Sequence, residues 1–377
     1  MVTNACTVVD IGSSNIKIIE ASLLANEAVN ISKFSVLPFD AGIMNTDSIP
    51  ELEAVAGRIS SEINREKYLK ENGVVLIANS KVISREIILP VMPLKAIKNT
   101  IKFEAPQYFP VNLTNYLFDY KILQQIDTPE GGKYRINIVA VPSEIIDFYV
   151  SVMDKSGIRL QIVDVNSNTL YKFASMEHKK RTTGNTGKES YAVLEIGAQL
   201  SHILFVSGDS FMLERSLNTF NGNSLTDVFS KYLQMNYSQA EDEKIKNGEK
   251  YMQIEEDEEL DDSQIYASGK TLSDSEQLYR IMRREVQKVL DDFIDELSNI
   301  LEFYYSRGVG SLSTIYLTGG GAMINGLDRF LVQNLNIDVN VLNRLKCVVN
   351  SSGKDIDSYS MFLANVIGGV RDISEKR

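Results

Sequence analysis

Two short stretches, V-V-D-I-G-S-S-N-I-K-I from Val8 and V-L-E-I-G-A-Q-L-S-H-I from Val193, share one pattern 185 residues apart. In each, an apolar run ends in a carboxylate, Asp10 or Glu195. One apolar residue, a glycine (Gly12 or Gly197), small or polar residues and a second apolar run follow. A glycine there lets backbone approach a ligand, and successive turn N–H groups can form a nest for an anion. A carboxylate touching phosphate would be repelled, yet it can hold Mg2+ through water, because that ion keeps much of its hydration shell. The pair therefore predicts two hairpins clamping the β- and γ-phosphates of ATP, with Asp10 and Glu195 arranging the metal through water. Half-motifs repeated in each half of a chain also predict a duplicated lobe.

Two further stretches fit a nucleoside. L-T-G-G-G-A-M-I-N-G-L, residues 317–327, predicts a strand, a triple glycine and a helix start. Three consecutive glycines lose much backbone entropy on ordering, which suits a place where something must come close. Gly319, Gly320 and Gly321, with Ala322 beside them, are assigned to adenosine and the α-phosphate. In A-E-D-E-K, Glu241 and Lys244 stand at i, i+3 on one helix face. They could hold a ribose hydroxyl and the adenine, or form an ordinary solvated ion pair.

The elements around these stretches are read from periodicity and punctuation. Residues 7–20 predict strand, tight turn, strand. A helix is expected at about 48–70, then a buried strand over 74–78. Residues 84–160 predict a compact α+β unit with strands at 85–89, 117–125 and 134–141, and helices from Pro93 and over 143–156. A strand at 162–165 and a helix at 167–177 follow. The polar, glycine-containing stretch 178–190 is the expected boundary between lobes. Residues 238–275 are expected to be a mobile insertion, and 274–306 a long amphipathic helix. The last helix is placed at about 358–371.

Composition narrows the class. With 377 residues, 44% apolar and 24% charged, the chain suits a soluble protein of two domains. No apolar run is long enough for a transmembrane helix, and the first residues lack the features of a secretory signal. Cys6 and Cys347 give neither a disulfide framework nor metal-ligand spacing. Net charge is −11, but residues 241–262 hold eleven acidic residues against three lysines, or −8, leaving −3 for the rest. No basic stripe suggests nucleic acid as a partner. A-S-G-K-T at 267–271 lacks the glycine that a P-loop needs at position 264, which is Gln264.

The order of hairpin, hairpin and Gly-rich strand–helix junction resembles the actin, Hsp70 and sugar-kinase superfamily. Within it, D-I-G-S-S-N-I-K, F-E-A-P-Q-Y-F-P at 103–110, V-D-V-N-S-N-T-L at 163–170, N-G-N-S-L-T-D at 221–227, A-E-D-E-K-I-K at 240–246 and the triple-glycine stretch are similar to the type IV pilus assembly protein PilM family. The resemblance runs over about residues 5–371. It implies an α/β, two-lobed actin-like (ribonuclease H-like) ATPase fold with an inserted α+β subdomain. The first lobe would take 1–83 and 161–180, the insertion 84–160, the linker 181–188, and the second lobe 189–377 with a helical subdomain at about 222–306.

The same resemblance implies ATP and Mg2+ as cofactors. Asp10, Gly12, Ser13, Ser14, Asn15 and Lys17 from the first hairpin, and Glu195, Gly197 and Ala198 from the second, would surround phosphates and metal. Glu241, Lys244 and Gly319 to Ala322 would surround the nucleoside. It further implies a cytoplasmic protein at the inner face of the membrane, binding the cytoplasmic N-terminal tail of PilN in a groove beside the insertion. Pilus motor ATPases would be further partners.

Two departures bear on chemistry: Glu195 stands where relatives carry Asp, and Asn166 where a water-orienting Glu is common. Loss of that carboxylate should slow hydrolysis more than binding. Two other readings remain open. One is an FtsA-like, filament-forming ATPase, against which the short polar ending D-I-S-E-K-R counts. The other is a small-molecule kinase of the same superfamily, with Asp164 as base.

Overall fold

The computed structural model describes residues 5–39, 51–109, 113–129, 131–182, 189–252, 273–308 and 310–375. Its first sheet is built outward from β1 (Cys6–Ile11), a strand buried along its whole length. β1 pairs antiparallel with β2 (Asn15–Leu23) and parallel with β4 (Gly73–Ile77). β3 (Val29–Pro38) extends the sheet beyond β2, and β8 (Leu160–Val165) beyond β4.

Because alternate side chains of a strand point to opposite faces, Val8 and Val9 serve different cores. Val9, Ile11, Ile16 and Ile18 pack against α1 (Leu52–Arg65) and α3 (Ser143–Lys155) through Val55, Ile59, Phe148 and Val152. Val8, Ile19, Val74 and Leu76 pack against α4 (Asn166–Arg181) and α9 (Ala364–Glu375) through Leu170, Phe173, Val366 and Ile367.

The second sheet repeats the plan. β9 (Ser190–Ile196) pairs antiparallel with β10 (Ser201–Ser207) and parallel with β12 (Leu312–Thr318). β11 (Ser210–Leu217) and β13 (Val339–Val341) lie at the edges. One face packs on α5 (Gly222–Leu233), α6 (Tyr237–Met252), α7 (Asp274–Ser306) and α8 (Leu327–Leu335). The other contributes Tyr191, Val193, Leu204 and Val206 to the same core as α4 and α9, so these two helices lie between the sheets. Gly368 permits their close approach: a Cβ there would fall 1.9 Å from the Thr169 carbonyl oxygen.

The inserted unit is a three-stranded antiparallel sheet, β5 (Ile83–Pro90), β7 (Gly131–Pro142) and β6 (Tyr116–Thr128), with α2 (Leu94–Tyr108) on one face. Ile87, Leu89, Ile97, Ile101, Ile136 and Ile138 form its core. It also reaches the second lobe. Glu86 Oε1 lies 2.6 Å from the Arg307 guanidinium, and buried Arg135 donates to the Phe211 carbonyl.

Several boundaries differ from the sequence reading. α3, expected inside the insertion, belongs to the first lobe's core because its apolar stripe meets β1 and β4. Residues 189–377 do not stay in one lobe: β14 (Val348–Asn350) pairs with β3, and α9 packs on the first sheet. β3 itself has no counterpart in the sequence reading. Residues 238–252, expected to open a mobile insertion, belong to α6, which bears out the helix face expected for Glu241 and Lys244. The polar boundary starts later than expected, since α4 runs to Arg181 and His178 is buried, its ring stacked 3.8 Å from that of Tyr191. The linker core 183–188, the P-loop-like stretch and residues 253–262 of the acidic run lie outside the described residues.

Candidate functional site

Each lobe presents one hairpin tip to a shared cleft of about 550 Å³. In the first, Gly12 N–H donates to the Asn15 carbonyl at 3.0 Å, and Lys17 Nζ folds over the turn to within 3.2 Å of Asp10 Oδ2. In the second, Gly197 N–H donates to the Leu200 carbonyl, and a Cβ on Gly197 would sit 2.4 Å from that oxygen. This tip is tied to α5: Gly222 and Asn223 N–H donate to the carbonyls of Gly197 and Ala198. Asn221 caps the same helix by accepting from Asn223 and Ser224.

The register makes the echo exact in three dimensions. Asp10 stands opposite Lys17, and Glu195 opposite His202. The partners then diverge. Asp10 keeps its lysine, whereas Glu195 Oε1 accepts from Asn365 Nδ2 at 2.6 Å, a residue of α9. Asn365 Oδ1 in turn lies 3.3 Å from the Thr169 hydroxyl of α4. His202 Nδ1 is 3.0 Å from Glu214 Oε1.

Burial pushes the Glu195 carboxyl above its usual range, and the Asp10 charge adds to this against His202, Lys17 and Asn365. For His202, burial disfavours the cation, but the hydrogen bond and charge of Glu214, with Glu195, outweigh it and raise the imidazole.

The cleft brings together Asp10, Gly12, Ser13, Ser14, Asn15, Lys17, Glu195, Gly197, Ala198, Glu241, Lys244, Gly319, Gly320 and Gly321. Ala322 is buried behind its wall. Two buried oxygens in the cleft have no hydrogen-bond partner, Asp10 Oδ1 and Asn166 Oδ1. Orphaned buried acceptors are costly, so a ligand donor, a hydrated ion or water fits there. Among the described residues, no three His, Cys, Asp or Glu side chains form a metal cage. The donor set therefore suits a hydrated ion held mainly by phosphate.

Two assignments acquire a different physical basis. Gly319 has φ of +86°, and a Cβ on it would lie 2.3 Å from the Ile196 carbonyl oxygen. A Cβ on Gly321 would lie 2.1 Å from Ile196 Cγ2. What approaches these glycines is thus the chain's own strand β9. Only a single 3₁₀ turn follows, with α8 starting at Leu327 after Gly326.

Lys244 is 1% exposed, and its ammonium donates to the Gly222 carbonyl, Thr226 Oγ1 and Glu241 Oε2 at 2.8, 2.8 and 2.6 Å. All three donors are used, so it fastens α6 to the start of α5. Burial lowers its pKa against the pull of Glu241 and Asp227.

Asp164 accepts from Asn168 Nδ2 at 2.8 Å and pairs with Lys172 at 3.2 Å. It is not among the cleft residues, which removes the base expected for a kinase. His202 and Asn365 were not assigned by the sequence reading. The echo held a signal for His202, at the same offset from Glu195 as Lys17 from Asp10. Asn365 had none, since it arrives from the chain's return to the first lobe.

Two lobes with matching sheets, a central pair of helices and one cleft between paired hairpins define an actin-like protein. The model of the type IV pilus assembly protein PilM family matches residues 8–254, and the chain belongs to that family. The model of the MreB/Mbl protein matches residues 186–363. The fold is similar to that of a PilM–PilN type IV pilus biogenesis complex, at 20% identity and a TM-score of 0.78 over 99% of this chain and 98% of that one. Other similar structures are EutJ of Carboxydothermus hydrogenoformans, at 11% identity and TM-score 0.49 over 98% and 89% of the two chains. ADP-bound MreB5 of Spiroplasma citri is similar at 15% identity and TM-score 0.47, over 99% and 97%. No described helix is long and apolar enough to cross a membrane.

Proposed function

We propose that this chain is the cytoplasmic actin-like component of a type IV pilus inner-membrane platform, binding ATP in its cleft and the cytoplasmic N-terminal tail of PilN beside its inserted subdomain. The supporting observation is the paired hairpins on one cleft, with the buried Asp10 Oδ1 left without a partner. Turn N–H groups of Ser13 and Ser14 in the first hairpin and of Ala198 in the second supply donors for β- and γ-phosphates. Asp10 and Glu195 would hold Mg2+ through its water, and the ion would offset phosphate charge. Lys17 is placed to trade its pairing with Asp10 for a phosphate oxygen.

Asn166 has an amide where a base would be needed, so it can orient water but cannot take its proton. Hydrolysis should be slow or absent, and nucleotide should act through lobe closure. The PilN tail follows from family membership and from the complex whose fold this chain shares. Recruitment by that tail would hold the chain at the inner face of the membrane.

Calorimetry with Mg·ATP and with a synthetic PilN tail tests both halves. Saturable binding of each is expected, with Asp10→Ala losing the nucleotide but keeping the tail. Phosphate release near about 1 s⁻¹, ordinary for a phosphoryl-transfer enzyme, would overturn the claim of slow turnover. Failure of the tail to bind with or without ATP would overturn the platform role.

A further inference from the structure

The outward face of α2 combines features that neither the cleft nor the fold uses. Phe103 is 84% exposed, with Val91 exposed just before the helix. These costs to solubility sit on a helix whose opposite side, Ile97, Ile101 and Ala105, already satisfies the insertion's core. Lys95, Lys98 and Lys102 are all exposed and follow i, i+3, i+7 spacing, so they share one flank beside Phe103. Among the described residues none of the three lysines is paired with a carboxylate, in contrast to Lys33, Lys155, Lys172 and Lys179.

We propose that this face docks on an anionic lipid surface, the three lysines meeting headgroups while Phe103 enters the interface. The proposal goes beyond the cleft and the PilN tail and depends on neither. Each lysine near an anionic leaflet adds to the attraction, and an exposed apolar side chain beside a basic flank is what an interfacial helix presents. The chain's net charge of −11 does not forbid this, because −8 of it comes from residues 241–262, a stretch that begins in α6 of the other lobe. Charges farther apart than about 8 Å are largely screened at physiological salt.

Flotation of the full chain with vesicles of phosphatidylcholine alone, or with one third phosphatidylglycerol, tests the proposal without partner or nucleotide. Binding to the anionic vesicles only is expected, released by salt. The Lys95→Gln/Lys98→Gln/Lys102→Gln variant should weaken it at least tenfold, and Phe103→Ser severalfold, with the thermal melt unchanged. Equal binding to both vesicle types, no binding to either, or a glutamine variant that floats like the parent would each overturn it. So would a glutamine variant that keeps vesicle binding but loses binding to an acidic peptide, which would make the face a protein contact.

Discussion

Replacing Lys244 with Met distinguishes a nucleoside contact from an internal fastener. The ammonium makes three short bonds, to Gly222, Thr226 and Glu241, and is almost wholly shielded from water. Hydrogen bonds to a charged group contribute about 1.5 kcal/mol or more each, so their joint loss approaches about 4–5 kcal/mol. The thioether returns part of this by filling the slot without a desolvation cost, and the partly exposed Glu241 regains water. The net expectation is a loss of about 3 kcal/mol. It should appear in urea unfolding followed by circular dichroism as a lower midpoint with an unchanged slope. Mg·ATP affinity should fall as well, because Gly222 N–H, bonded to the Gly197 carbonyl, sits at the end of α5 that Lys244 fixes. A variant within about 0.5 kcal/mol of the parent that nevertheless loses nucleotide would refute this reasoning and return Lys244 to direct contact.

Asn365→Leu removes the donor to Glu195 and the acceptor beside Thr169. It should cost about 1–3 kcal/mol in the same unfolding assay and weaken Mg·ATP binding by calorimetry. Gly319→Ala forces a side chain onto the Ile196 carbonyl at positive φ and should lower the melting temperature by several degrees in a thermal scan. Gly57→Ala, in α1 with nothing within 4 Å of its Cβ, should instead stabilise by about 0.5–1 kcal/mol. His202 has a folded pKa raised above 6.5, so its contribution to stability is complete below that pH and is lost as pH rises through the folded value. His202→Gln should flatten that stretch of the stability–pH curve, read by chemical unfolding at half-unit steps. A curve of unchanged slope would show that Glu214 does not hold the imidazolium.

Much of the cleft was legible because its constraints are local. Gly197 is fixed by a turn whose carbonyl leaves no room for a side chain, Gly12 by the Lys17 ammonium folded over its turn, and Asp10 and Glu195 by the end of a buried strand, so residue type and spacing betray them. What was missed depends on distant chain. β3 is amphipathic but irregular, with a register shift opposite Glu20 and Ala21, which spoils its alternation. His178 reads as linker because Lys179, Lys180 and Arg181 follow it, yet its ring is enclosed by Tyr191 and Tyr316 from the other lobe. β14 has three residues, too few for any periodicity, and its place is decided by pairing with β3. The triple glycine was correctly read as a place of close approach, but no local pattern tells ligand from Ile196.

The contact between α4 and α9 has a mechanical consequence. At Gly368 the two helices meet backbone to backbone, and the buried pair Lys172 and Asp372 locks them across the same contact. A pair tied this way travels as one body when the lobes shift. Since Asn365, one turn earlier on that helix, grips Glu195, such travel would carry the second lobe's carboxylate with it.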